Sequence, residues 1–181
     1  MEAWRSPNGV LRWLHPEGED LTDWTPIALP VGVAAPDSFE EVAAFGKEYV
    51  IDGDAFVADL FVLKADKWAE VLAARTVAEN SGCMTPLGRV DTTPESRDKI
   101  SGAVQMAMIA QMNGAPFSID WTMEDNSTVT HDAPAMISLG MAVGTHIDAC
   151  HGVGRLKRAA IDAAATKLLV EAVDPLIGWP E

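Results

Sequence analysis

The amino-acid sequence predicts an α+β fold. A β-leaning, loop-rich N-terminal segment precedes helices arranged around a short antiparallel hairpin, and two helices end the chain. Turn residues punctuate residues 1–60, and apolar residues alternate with polar ones over 117–123. Apolar residues recur at helical spacing over 63–80, 100–111 and 136–147. Because side chains repeat every 2 residues in a strand and every 3.6 in a helix, these patterns separate the two kinds of element.

Residues 1–60 form the first predicted domain, and residues 61–181 the second. Apolar pieces over 10–14 and 24–29 are read as short strands or extended segments, and 39–49 has weak helical periodicity. Asp52-Gly53-Asp54 between two apolar runs predicts a hairpin. The other turn signals are Pro7-Asn8-Gly9, Pro16-Glu17-Gly18 and Pro36-Asp37.

Three tryptophans, Trp4, Trp13 and Trp24, fall within this N-terminal segment. They form either a small core or a docking surface for another chain. Large aromatic side chains usually stabilise the unit that contains them, which favours the core.

The second predicted domain opens with a helix over 63–80 that ends at Asn80-Ser81-Gly82. Residues 83–93 contain Pro86 and Gly88 and are interpreted as a loop. Thr93-Pro94-Glu95-Ser96 then has the pattern of an N-cap with proline in the first turn, and helical spacing continues to Asn113-Gly114.

A hairpin and two helices complete the chain. Strand 117–123 leads into the turn Asp125-Asn126-Ser127, and a return strand starts at Thr128. Asp132 is the expected N-cap of a helix over 133–150, with Pro134 in its first turn.

Glycines mark two places in this C-terminal region. Gly140 and Gly144 each cost about 1 kcal/mol of helix propensity relative to alanine, which suggests that another backbone approaches closely there. Gly152 and Gly154 are expected to break the helix, so that a last helix runs from Leu156 to a point before Asp174.

Charge excludes some functions. With 27 acidic and 13 basic residues, the net charge is −14 and the pI about 4.5. Nucleic acid and anionic membranes are polyanions that would repel this chain. The acidity serves solubility or favours a basic or cation-bridged partner.

Cys83 and Cys150 are the only cysteines, which predicts free thiols rather than a disulfide framework. Residues 1–5 precede no apolar signal region, and no apolar run reaches the roughly 20 residues that span a bilayer. We therefore expect neither a secretory signal nor a membrane span.

The crowding of His146, Asp148, Cys150 and His151 raises the possibility of a metal site. His146 and Cys150 share a helix face, but a tetrahedral site needs three or four convergent ligands. The favoured interpretation is that Cys150 is a small buried residue and that His151 complements the dipole at a helix C-terminus. No metal, cofactor or catalytic residue is predicted.

Other charged clusters have similarly plain interpretations. The carboxylates Asp120, Glu124, Asp125 and Asp132 crowd the hairpin, but their spacing is not that of a calcium loop, and solvated turn residues are favoured over acid–base catalysis. The basic cluster Arg155, Lys157 and Arg158 is expected at a helix start, where the dipole does not favour it. This suggests a carboxylate partner, with a solvated face as the default.

A series of short segments in the second predicted domain forms a recognisable pattern. They are Lys67-Trp68 through Arg75, Gly88-Arg89-Val90-Asp91-Thr92, Ile100-Ser101-Gly102-Ala103, Ile119-Asp120-Trp121, Val129-Thr130-His131-Asp132, His146-Ile147-Asp148-Ala149-Cys150, Leu156 to Ala163 and Gly178-Trp179-Pro180. With these segments, residues 64–181 resemble an uncharacterised domain family found in bacteriophages and prophages. Two places depart from the family pattern: His131, where an apolar residue is usual, and Gly152-Val153-Gly154, where the link is usually less glycine-rich.

The resemblance implies a structural protein of a phage tail, in the tail-fibre or baseplate/host-contact region, that assembles by buried surface and is not an enzyme. Residues 1–60, outside the match, would attach it to other tail proteins. Homo-oligomers, a place in the virion tail and assembly in the host cytoplasm are expected. The best candidates for contact are Trp4, Trp13, Trp24 and the Gly140/Gly144 face. A tail-fibre assembly chaperone and a small metal-dependent hydrolase using His146 and Cys150 are the alternatives.

Overall fold

The computed structural model describes residues 1–14, 17 and 20–181. Contacts within the chain define two units. The first contains Met1–Asp66 and Ala164–Ala172, and the second contains Lys67–Ala163 and Val173–Glu181. The predicted division at residue 60 stays a prediction, and the grouping of 164–172 with the N-terminal residues has no visible sign in the sequence.

The first unit is built on short antiparallel strands and one helix. Its three-stranded sheet has the order β2-β1-β3, and β4 pairs with β5. Its elements are β1 (Glu2–Arg5), β2 (Leu11–Leu14), β3 (Thr25–Pro26), α1 (Phe39–Glu48), β4 (Tyr49–Asp52), β5 (Ala55–Ala58) and α5 (Lys167–Glu171). The predicted Asp52-Gly53-Asp54 hairpin is confirmed, whereas the turn predicted at Pro16-Glu17-Gly18 involves Pro16 and Gly18, which lie outside the described residues.

Aromatic rings fill the core of the first unit. Phe45 lies 4.9 Å from Phe56 and 4.5 Å from Tyr49, measured between ring centroids. Trp13 packs on Phe45 at 5.4 Å and on Phe56 at 5.5 Å. The prediction that a tryptophan stabilises a core is therefore confirmed for Trp13, whereas Trp4 and Trp24 are half-buried and are not part of this cluster.

The second unit packs helices against two hairpins. Its elements are α2 (Leu60–Glu79), whose first residues belong to the first unit, then β6 (Cys83–Thr85), β7 (Gly88–Val90), α3 (Pro94–Met112), β8 (Ser118–Thr122), β9 (Thr128–Asp132) and α4 (Ala133–Ala163). The helices and small antiparallel sheets of the two units confirm the predicted α+β class.

Local sequence signals set several boundaries as predicted. The Thr93 hydroxyl accepts a hydrogen bond from the Ser96 amide at 3.3 Å, and the Asp132 carboxylate accepts one from the Ala135 amide at 2.9 Å. Both are N-caps that satisfy amides with no partner within the helix. Asn126 takes a positive φ of 65° in the turn between β8 and β9, a conformation that asparagine tolerates.

Two predictions about the second unit are wrong. Residues 83–93 are not a plain loop, because β6 and β7 pair across Cys83 and Val90, both buried. Gly152 and Gly154 do not break a helix, because α4 continues through them to Ala163. The last helix is the short α5, which Thr166 caps by accepting from the Leu169 amide.

Burial explains why α4 continues. His146, Cys150, Gly154 and Ile161 are all buried on it. A Cβ added at Gly154 would lie 3.4 Å from Cδ of Arg75, so α2 packs directly on the helix backbone here. Tertiary packing along the whole face outweighs the propensity cost of two glycines.

Candidate functional site

His146 and Cys150 lie side by side in the interior, but the groups around them diverge. The Nε2 atom of His146 is 3.0 Å from the carbonyl oxygen of Ala78 and 3.8 Å from Sγ of Cys150. His151 instead faces Glu79 at 3.4 Å, and the exposed Asp148 faces Arg155 at 3.6 Å. In residues 1–14, 17 and 20–181 no group of three or more potential ligands converges as a metal site requires.

Cys150 is fully buried, as predicted, and its environment disfavours the thiolate. Burial, followed by the nearby charge of Glu79, raises the pKa of the Cys150 thiol. A thiol with a raised pKa is a poor nucleophile and a poor metal ligand at neutral pH. His151 is not at a helix C-terminus, because α4 continues for twelve residues to Ala163, so its predicted role with the dipole is wrong.

Glu79 is a central ionic residue that the sequence analysis missed. Its side chain is only 16% exposed. Its carboxylate lies 3.1 Å from Nε of Arg75, 3.6 Å from Nη1 of Arg97 and 3.4 Å from Nε2 of His151. It therefore joins α2, α3 and α4. A glutamate near the end of an ordinary helix pattern carries no sign of this role.

The hairpin carboxylates each have a local structural partner. Asp120 accepts from the Thr130 hydroxyl at 2.6 Å, and Glu124 pairs with Arg89 at 2.6 Å. Asp125 accepts from the Ser127 amide at 2.9 Å, and the Ser127 hydroxyl, followed by this amide, lowers the pKa of that carboxyl. These contacts stabilise the turn. They do not bring two carboxylates together as acid–base catalysis would require.

The basic cluster lies in the middle of α4, not at a helix start as predicted. The Arg158 guanidinium pairs with Asp162 at 2.9 Å and lies over the Trp68 ring at 5.1 Å. Lys157 donates to the carbonyl oxygen of Asp174 at 2.6 Å. The expected carboxylate partner for Arg158 is therefore within the same helix.

A groove between α3 and α4 contains the predicted contact face of Gly140 and Gly144. Its volume is about 490 Å³. The lining is apolar apart from Arg97 and Ser101, and its other residues are Ile100, Val104, Met108, Ile137, Gly140, Met141, Val143, Gly144 and Ile147. Met108 and Met141 are 48% and 69% exposed, so large apolar side chains face solvent at its edges.

The two glycines of the groove play different parts. A Cβ added at Gly140 would lie 2.6 Å from Cγ2 of Val104. A side chain of α3 therefore approaches Gly140, and the predicted approach of another backbone is wrong at this position. Gly144 has no such neighbour, since nothing lies within 4 Å of the place where its Cβ would be. The space above Gly144 is open to the surface.

The fold and the groove define an α+β protein with an exposed apolar surface on a helix pair. The chain belongs to the family described as Domain of unknown function (DUF4376), whose model matches residues 62–175. This confirms membership in an uncharacterised domain family over the helical region. Comparison with curated proteins and with solved structures found no match. Within the described ranges no helix has the length and apolarity needed to cross a membrane.

Proposed function

We propose that this protein is a structural component of a bacteriophage tail, in the fibre or baseplate/host-contact region, and that it acts by protein–protein assembly. The observation that carries the proposal is the α3/α4 groove, an apolar surface on an otherwise strongly acidic chain. Exposed contiguous apolar surface bordered by polar residues is typical of protein interaction sites. The phage context rests on the resemblance of residues 64–181.

Flexible methionines suit such a contact. Met108 and Met141 flank the groove, and unbranched thioether side chains adapt their shape to a partner. The candidate carboxylates Asp120, Glu124 and Asp125 each have a structural partner, and His146 and His151 contact different groups. These features favour a role in protein–protein contact over a role in catalysis for this region.

Mass spectrometry of purified particles tests the proposal. Particles from a phage or induced prophage that encodes this chain should contain it at a fixed ratio to other tail proteins. Met141→Glu should remove it from the particles, because a carboxylate would enter a desolvated contact. Met106→Glu is the matched control, since Met106 is 58% exposed on α3 outside the groove lining.

Two results would contradict a structural role. Absence of the chain from complete particles, with unstable fibres in a deletion strain, would favour an assembly chaperone. Stoichiometric metal in the purified protein, lost in His146→Ala, would favour a metal-dependent hydrolase. If the protein is neither a chaperone nor a hydrolase, His146→Ala should change only the stability of the fold. It should lower that stability, because the hydrogen bond between the His146 ring and the Ala78 carbonyl is buried.

A further inference from the structure

The α3/α4 groove has almost no charge, although the chain carries 27 acidic and 13 basic residues. Among the residues that the structure describes, no carboxylate lines it, and Arg97 is the one charged residue of its lining. Two copies of a chain with net charge −14 repel each other. The repulsion is weakest when they meet through a face that lacks acidic side chains. Desolvating this face against another copy of itself buries no like-charged carboxylates.

The same face carries a protruding side chain at Met141, called the knob, and open space at Gly144, called the hollow. Met141 is 69% exposed, and Gly144 leaves open space where a side chain would stand. Residues three apart on a helix are neighbours on one face. A two-fold axis perpendicular to α4, passing between these two positions, sets Met141 of each copy opposite the partner's Gly144.

We propose that a second copy of this chain covers the groove in an isologous dimer. The two α4 helices cross antiparallel between residues 141 and 144, so that the knob-into-hollow contact forms twice. Met108 of each copy, 48% exposed, adds apolar area beside the crossing. The inference rests on the proposed function, because it names the partner of the groove through which the protein is proposed to assemble. A different protein would have to supply both a side chain for the hollow and a pocket for Met141, whereas one symmetry operation supplies both.

Sedimentation equilibrium of the full chain tests whether Met141 of one copy faces Gly144 of the other. The test exchanges the residues at these two positions. Met141→Gly removes the knob, and Gly144→Met sets one methionine against another, so each single variant should weaken the dimer about tenfold or more. The double variant, Met141→Gly with Gly144→Met, exchanges knob and hollow and should recover most of the wild-type affinity. Gly144→Met should fold, because the space above it is empty.

Two further measurements separate this contact from others. Met141→Glu should give monomers, whereas Met106→Glu should dimerise like the wild type; circular dichroism checks that each folds. Raising the salt from about 50 mM to about 500 mM should strengthen the dimer, because screening reduces the repulsion between two acidic chains.

Some outcomes would overturn the inference. A wild-type chain that stays monomeric at every concentration would leave the groove to a different protein. A dimer unaffected by either single variant, or not recovered by the swap, would place the contact elsewhere. Neither outcome bears on the presence of the chain in virions, which the particle analysis decides separately.

Discussion

The two units bury their apolar residues in different ways. In the first, aromatic rings meet in the centre, with Phe45, Phe56 and Trp13 within 5.5 Å of one another. In the second, aliphatic side chains such as Met136 and Leu139 pack in one cluster with small ones such as Ala103 and Ala107, and no phenylalanine, tyrosine or tryptophan ring is fully buried there among the described residues. Each ring buries about 150–250 Å², so a few rings hold short strands together. Small residues instead let helices approach closely.

This difference decides which residues remain outside. Between α3 and α4 the buried positions include Ala103 and Ala107, while the larger Met108 and Met141 stand at the surface. This arrangement leaves an apolar groove along the helix pair. The aromatic core of the first unit keeps Phe45 and Phe56 more than nine-tenths buried. The candidate interface is a consequence of how the second core is built.

The largest expected effect is on the aromatic core. Phe45→Ala should lower the free energy of unfolding of the first unit by about 3–5 kcal/mol, because it leaves a cavity against three rings. Hydrogen exchange of peptides covering 39–58 measures it. Phe39→Ala is the matched control in the same helix, since Phe39 is 92% exposed and should change stability by less than about 0.5 kcal/mol. Equal effects of the two changes would refute an aromatic core.

Glu79 should matter next, as the ionic centre of the second unit. Glu79→Gln leaves Arg75 without its carboxylate and should destabilise the unit by about 2–3 kcal/mol, less than a fully buried pair because Arg75 and His151 remain partly in water. Urea unfolding with a probe in the second unit measures it. Glu95→Gln, whose exposed pair with Lys99 is surrounded by solvent, should have no measurable effect. A Glu79→Gln variant of unchanged stability would show that the packing of the second unit does not depend on this carboxylate.

The smallest expected effects are at the two groove glycines, where alanine substitution should change the free energy of unfolding in opposite directions. Gly144→Ala should stabilise the dilute protein by roughly 1 kcal/mol, because helix propensity improves and nothing is displaced. Gly140→Ala should destabilise it by about 1 kcal/mol, since the new Cβ overlaps Cγ2 of Val104. Adding Val104→Ala should remove much of that overlap, and thermal melts of the three variants measure the series. A stabilising Gly140→Ala would mean that α3 yields easily at this point.

Much of the secondary structure could be predicted, because its signals are local. The caps at Thr93 and Asp132 and the turn at Asn126 depend on hydrogen bonds within three residues. The hairpin at 83–90 was missed because its strands are only three residues long and Pro86 suggested a loop. Their pairing depends on burial of Cys83 and Val90, which no local pattern reveals.

The candidate interface was only half visible in advance. Gly140 and Gly144 signalled a special face because both cost helix propensity. The nature of the neighbour was not visible, since a side chain, Val104, meets Gly140 and open space meets Gly144. Glu79 gave no signal of this role, because an i,i+4 pair with Arg75 is ordinary on a helix and its other partners, Arg97 and His151, lie on helices far along the chain.

The sequence by itself determined the α+β class, the caps, the turns and the acidity, because these follow from side-chain periodicity, from bonds between near neighbours and from counting charges. Tertiary structure decided that α4 runs unbroken through Gly152 and Gly154, that Glu79 meets Arg97 and His151 from other helices, and that an apolar groove stays open beside Gly144. The physical reason is that burial and ion pairing depend on which distant residues meet, and local propensities of about 1 kcal/mol yield to them.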